Sequence, residues 1–201
     1  MYNKKGQINL ISLFIILAFS LFFVSAAYFW VFPNIQQMTS VREIERMENQ
    51  MVELHKAISQ VSREQSQRII TFQIQRGTIR VRNTSILYSG DFELPESLKG
   101  AESIVFGGIY TPSRISCDSN EIGELGEDEP VCLLRRGDIE LELRYLRLND
   151  TSSGNIYGIN FMTTSTSRVF AGEGTHQVVV SWINKTTNSN SITKNLKVEF
   201  Y

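Results

Sequence analysis

The sequence predicts an α+β protein in which two helical segments precede an antiparallel β-rich head, built as a sheet or a sandwich. Residues 8–32 form an apolar run whose only ionisable side chain is Tyr28. Residues 44–61 carry apolar side chains at alternating spacings of three and four, and from residue 70 onwards apolar and polar residues alternate with a period of two. These three patterns divide the chain into a basic leader (1–6), a transmembrane helix (7–33), an amphipathic stem helix (34–67) and a head (68–201).

The apolar run is long enough to cross a membrane. At about 1.5 Å per residue it spans roughly 37 Å, which exceeds the roughly 30 Å of a bilayer's hydrocarbon core. Lys4 and Lys5 precede the run, and the first acidic residue, Glu43, comes well after it. By the positive-inside rule this predicts a single-pass protein of the cell membrane with a cytoplasmic N-terminus and an extracellular C-terminal domain.

Three interpretations of this segment predict different mature chains. A plain anchor keeps Met1. A secretory signal is cut after the small residues Ser25 and Ala26, so that the mature chain begins at Ala27. The third interpretation rests on a resemblance.

The string KKGQIN at residues 4–9 resembles the prepilin-type signal of archaeal type IV pilin-like precursors. The resemblance implies that a prepilin-type peptidase cuts between Gly6 and Gln7 and that the apolar helix stays on the mature protein. It also implies that this helix contacts other pilin-like subunits or their assembly machinery.

The chain departs from that family at two positions. Such pilins often carry Ser third and Glu fifth after the cut, where this sequence has Asn9 and Ile11. A carboxylate in lipid is kept only where it has a partner, so its absence favours a minor or non-filament-forming member over a major subunit.

The stem segment follows Pro33, which either kinks a continuous helix or begins a second one. Six apolar side chains form one helical stripe: Ile44, Met47, Met51, Leu54, Ile58 and Val61. Two interpretations of this stripe stay open, because it can pack on the domain's own sheet or pair with a partner's helix.

The head is predicted as β-rich because its apolar runs are short and are separated by Gly, Asn, Ser and Thr. Arg76 and Gly77 are predicted to form a turn. About eight strands are expected, at residues 70–74, 78–82, 86–89, 103–110, 139–145, 155–163, 177–183 and 196–201.

The two cysteines, Cys117 and Cys132, enclose 14 residues. In an oxidising compartment a disulfide between them would stabilise the fold by about 3 kcal/mol in the chain-entropy model. The alternative is two free buried thiols. A metal site would need more ligands than these two.

The loop between the cysteines is acidic, and part of it is similar to a calcium-binding loop. Asp118, Asn120, Gly123 and Glu129 match positions one, three, six and twelve of such a loop, but Ile122 stands at the fifth position, which needs an oxygen ligand. A solvated acidic loop is therefore the favoured prediction and weak calcium binding the alternative. No cofactor is predicted.

Three Asn-X-Ser/Thr sequons, at Asn83, Asn149 and Asn184, predict surface glycosylation sites. Neither His55 nor His176 lies in a catalytic motif, so we expect no enzyme activity. A net charge of −1 gives no indication of nucleic-acid binding. The function expected is that of a membrane-anchored pilin-like structural protein of a surface appendage or related machine. The alternatives are an anchored surface binding module, such as an adhesin or receptor ectodomain, and a partner subunit of an envelope complex.

Overall fold

A computed structural model of the chain describes residues 4–90, 102–106, 123–124, 131–136, 140–163 and 167–201. Its first element is one α-helix, α1, from Lys4–Glu64, with 61 residues and a length of roughly 90 Å. The helix continues through Pro33, so the break that the sequence left open is not present. It ends where Gln65 takes a left-handed conformation (φ 54°), and the Gln65 N–H donates to the Val61 carbonyl at 2.9 Å.

The described part of the chain after α1 contains only strands as regular elements. They are β1 (Gln67–Ile74), β2 (Thr78–Val81), β3 (Ser85–Ser89), β4 (Glu102–Phe106), β5 (Gly123–Glu124), β6 (Val131–Arg136), β7 (Glu140–Tyr145), β8 (Leu148–Asp150), β9 (Asn155–Phe161), β10 (Phe170–Ala171), β11 (Gly174–Asn188) and β12 (Ser191–Phe200).

These strands form two six-stranded sheets. The first sheet has the order β1-β11-β12-β9-β8-β5, and the second has the order β10-β2-β3-β7-β6-β4. The α+β class is therefore confirmed. The expectation of purely antiparallel pairing is wrong for two pairs, because β12 pairs with β9 and β5 pairs with β8 in parallel. Long connections separate the members of both pairs, which gives the chain room to return in the same direction.

The strand predictions hold where apolar and polar residues alternate. The described strands overlap all eight predicted segments, although β4 ends at Phe106 and residues 107–110 lie outside the described part of the chain. Four short strands were not predicted: β5, β6, β8 and β10. Three of them have only two or three residues, and β6 (VCLLRR) does not alternate.

The core lies where the second half of α1 packs against both sheets. One cluster of buried side chains includes Met51 and Leu54 from α1, Phe72 and Val180 from the first sheet, and Leu143 from the second. The rings of Tyr145 on β7 and Phe161 on β9 meet edge to face at 5.4 Å, which joins the two sheets directly. Helix and sheets therefore share a single core.

Candidate functional site

The clearest functional feature is the first half of α1. Residues Ile11–Phe32 form a 22-residue stretch with a mean hydropathy of 2.3, and none of it is buried within the chain. Phe29 and Trp30 are 78% and 74% exposed. Exposure of so much contiguous apolar surface to water is unfavourable, and the length suits a bilayer. The segment is a candidate single membrane span.

Aromatic side chains gather at the end of this span that lies nearer the head. The rings of Tyr28 and Phe32 stack at 5.3 Å, and those of Tyr28 and Phe29 meet edge to face at 6.2 Å. Trp30 lies in the same turn. Trp and Tyr are enriched where a membrane meets water, because their rings are apolar and their N–H or O–H is polar. This end of the span therefore has the composition of a membrane–water boundary.

The residues expected at the cleavage site lie at the other end of the helix. Gly6 and Gln7 have helical backbone within α1, and nothing is described of their side chains. Cleavage between them stays a prediction.

The six stripe residues, Ile44, Met47, Met51, Leu54, Ile58 and Val61, are all buried against the head, with exposed fractions between 0% and 4%. Because both sheets of the same chain cover them, they offer no free surface to a partner's helix. The second half of α1 is therefore part of the core of the head, while the first half lies outside that core.

Polar side chains of α1 also fix the helix to the head. The Gln50 side chain bonds both backbone groups of Gln73: its Nε2 donates to the carbonyl at 3.0 Å, and its Oε1 accepts from the N–H at 2.6 Å. β1 is an edge strand of the first sheet, so Gln50 takes the place that a neighbouring strand would occupy.

A partly buried ion pair lies about one to two turns before Gln50. Arg46 donates to Glu43 at 2.7 Å, and Glu43 is only 5% exposed. The Gln75 amide completes the group, since its Nε2 can donate to Glu43 at 2.8 Å and its Oε1 can accept from Arg46 at 2.6 Å. Nearby, burial and then the Glu43 carboxylate raise the pKa of Tyr88, whose hydroxyl donates to the Arg76 carbonyl at 2.6 Å.

His55 lies on α1 beside β7. Its Nδ1 is 3.2 Å from the Tyr145 hydroxyl, and burial lowers the pKa of His55 to about 4, with Arg63 and Lys56 contributing further. Neutral imidazole is therefore the form that the fold selects at neutral pH. The Nε2 of the other histidine, His176, is 2.9 Å from the Gly172 carbonyl oxygen. No sequence pattern indicates the contact between His55 and Tyr145, because the two residues are distant in the chain.

A groove with a volume of about 900 Å³ lies beside the turn between β2 and β3. Arg82, Arg144 and Arg147 line it together with the buried Glu142, which accepts a hydrogen bond from Arg144 at 2.9 Å. Sequence reasoning did not find this groove, since its residues come from separate strands.

The three sequons occupy different places. Asn83 is exposed in the turn between β2 and β3, where it also lines the groove. Asn149 is half-buried on β8. Asn184 is exposed on β11, and its Oδ1 accepts a hydrogen bond from Asn195 Nδ2 at 2.7 Å.

The predicted disulfide and calcium loop fall largely outside the described residues. Cys117 lies outside the described residues, and only the backbone of Cys132 is described, within β6. Most of the acidic loop also lies outside the described part, which includes only Gly123 and Glu124 of it. Within the described ranges, no group of three or more His, Cys, Asp or Glu is placed to hold a metal ion.

Comparison of the chain with protein-family models, curated proteins and solved structures finds no match.

Proposed function

We propose that this chain is a membrane-anchored, pilin-like structural protein whose head lies outside the cell membrane. The observation that supports it best is the division of one continuous helix. The half that contains Ile11–Phe32 is bare and apolar, while the half from Ser40 onwards is built into the head. Such a chain is held in a bilayer by its first half and presents its second half on a folded domain.

The continuity of α1 favours a structural role over simple anchoring. A flexible tether would let the head move independently of the membrane span, whereas a continuous helix couples the two rigidly. The helix enters the core through apolar packing and is further held to the head by the Gln50–Gln73 bonds and by Glu43, which accepts a hydrogen bond from the Gln75 N–H at 3.4 Å. Force or displacement in the membrane-spanning half would therefore pass directly into the head.

The resemblance at residues 4–9 supplies the processing step of the proposal. A prepilin-type peptidase would remove residues 1–6, and the mature chain would begin at Gln7 with the whole apolar span retained. Ile11 in place of the carboxylate that is common in the family favours a minor or priming role rather than that of the main subunit of a filament.

Shearing of intact cells tests the proposal. A pilin-like subunit should appear, processed, in the large surface particles that shearing releases. A Gly6→Val variant should stay unprocessed in the membrane, while Asn3→Ser, in the same leader, should behave as the parent chain does. A chain that stays wholly in the membrane fraction with residues 1–6 attached would instead indicate an anchored surface binding module.

A further inference from the structure

Part of the outer face of the first sheet is lined mostly by uncharged polar side chains. It comprises side chains of β8, β9, β12 and β11 that point away from the core, together with Gly158, and we call it the polar face. Its residues are Asn149, Ile156, Gly158, Asn160, Ser191, Thr193, Asn195, Asn184, Thr186 and Asn188. None of these residues is ionisable, and the charged Lys197 and Glu199 lie further along the same side of β12, outside this patch.

A β-bulge places Asn184 on this face. Val178 and Val180 of β11 point into the core, and simple alternation would turn Asn184 inward as well. The register shifts between Trp182 and Asn184, so that Asn184 lies opposite Asn195 on the outer side. Bulges commonly re-aim a side chain in this way.

The Asn184 carboxamide is held in one orientation. Asn195 is 7% exposed, and its Nδ2 donates to both Asn184 Oδ1 at 2.7 Å and Thr186 Oγ1 at 2.8 Å. Asn160 Nδ2 in turn donates to Asn195 Oδ1 at 3.2 Å. Because the oxygen of the Asn184 amide faces Asn195, its Nδ2 lies on the opposite side of the group, and the residue is exposed.

The sequon at Asn149 belongs to the same face. Asn149 pairs with Ile156 of β9. The next residue of β9, Tyr157, faces the core, so Ile156 and Asn149 face outward. β12 and β9 separate β11 from β8. At about 4.8 Å per strand and 3.3 Å per residue, Asn149 and Asn184 are roughly 20 Å apart. Asn83 lies elsewhere, in a turn of the second sheet.

We infer that Asn184 is an N-glycosylation site and that the polar face is covered by saccharide, with Asn149 as a second acceptor on it. The inference rests on the external location in the proposed function. The Nδ2–C1 bond forms as the bond between C1 and a phosphate oxygen breaks in a lipid-linked glycosyl phosphate donor bound to a membrane transferase. The phosphate leaves with the electron pair, and the amide loses one proton.

Neutral hydroxyls and carboxamides suit this role. Hydroxyl and carboxamide groups can donate and accept hydrogen bonds, as the hydroxyls of a sugar do. The Asn184 hydrogen bond uses only Oδ1, so a saccharide on Nδ2 leaves the bond to Asn195 intact. The fold therefore accommodates the modification without rearrangement.

Glycopeptide mass spectrometry of the full chain from its native membrane tests the inference. The peptide containing Asn184 should carry saccharide in the parent chain, in Thr186→Ser, which keeps the sequon, and in Thr187→Ala, which lies outside it. The saccharide should be lost completely in Asn184→Gln and in Thr186→Ala.

External protease added to intact cells separates the two possible failures. A head that is digested from outside but has an unmodified Asn184 would overturn the inference and leave the proposed function standing. Saccharide on Asn83 or Asn149 alone would overturn it equally. A head protected from external protease, with all three sequons bare, would overturn both.

Discussion

Single residues decide how the chain turns between its elements. Gly77 lies in the turn between β1 and β2 with φ +85°, as the sequence predicted for Arg76 and Gly77. A Cβ at Gly77 would lie 2.2 Å from the Ser89 carbonyl oxygen and 2.7 Å from the Gly90 Cα. Backbone atoms cannot give way as a flexible side chain can, so this position needs glycine for both its conformation and its space.

Gly77→Ala should therefore lower the free energy of unfolding by about 2–3 kcal/mol. Gly172→Ala is the matched control, because nothing lies within 4 Å of a Cβ there and we expect a change below about 0.5 kcal/mol. Urea unfolding of the two variants measures both values. Equal stability of the two variants would show that the β1–β2 turn is not as tight as described.

His55 should make stability depend on pH. Its pKa is about 4 in the fold, against an ordinary 6.5, so between these values the unfolded chain binds a proton that the folded chain does not. The contribution is complete above about pH 6.5 and is lost as the pH falls towards 4, by about 3 kcal/mol at most.

A His55→Gln variant tests this pH dependence, because the substitution removes the titrating group. Denaturant unfolding from pH 7 to pH 4 should show a smaller loss of stability in this variant than in the parent chain. Parallel curves for the two proteins would mean that His55 titrates normally and is not buried beside Tyr145.

The stem half of α1 is the element on which the head depends most. Its stripe was predicted from spacing alone, because a period near 3.6 appears in the sequence wherever one face of a helix is buried. Whether another chain or its own sheets cover that face depends on contacts between distant residues, which spacing does not encode. The structure covers it with the chain's own sheets.

Met51→Ala and Leu54→Ala should each lower the free energy of unfolding by about 2–5 kcal/mol, since both side chains are fully buried. Glu53→Ala is the control, because Glu53 is exposed on the same turn, and it should change the free energy of unfolding by less than about 0.5 kcal/mol. Denaturant unfolding followed by circular dichroism checks this. If Met51→Ala and Leu54→Ala impair only the binding of another protein and leave the head stable, the stripe is an interface and not core.

The sheets contain both strands that the sequence predicts and features that it does not. Strands such as β7 and β1 alternate cleanly, and their existence was predictable. The extension of β11 to Asn188 was not, because beyond the bulge β11 is polar on both faces and pairs with residues of β12 that are polar except for Ile192. The Asn184–Asn195–Asn160 network depends on that bulge and on a parallel pairing, so no local pattern could reveal it.

At the scale of the whole molecule, the account depends on the membrane-spanning half of α1. Arginine near the centre of a span costs about 2.5–3.5 kcal/mol of insertion free energy. Leu17→Arg combined with Leu21→Arg should therefore move a large fraction of the protein out of the carbonate-resistant membrane pellet, and Leu17→Ile with Leu21→Ile should leave it there. Full retention of the double arginine variant in the pellet would contradict a span at Ile11–Phe32.

The central claim is that the helix is a processed membrane anchor of the pilin-like class, and the N-terminus of the native protein tests it most directly. Mass spectrometry of the intact chain and its first peptide, from native membranes, should find a chain that begins at Gln7. This method also detects a cyclised N-terminal glutamine, which would block stepwise sequencing. A chain that retains Met1, or one that begins at Ala27, would contradict the account.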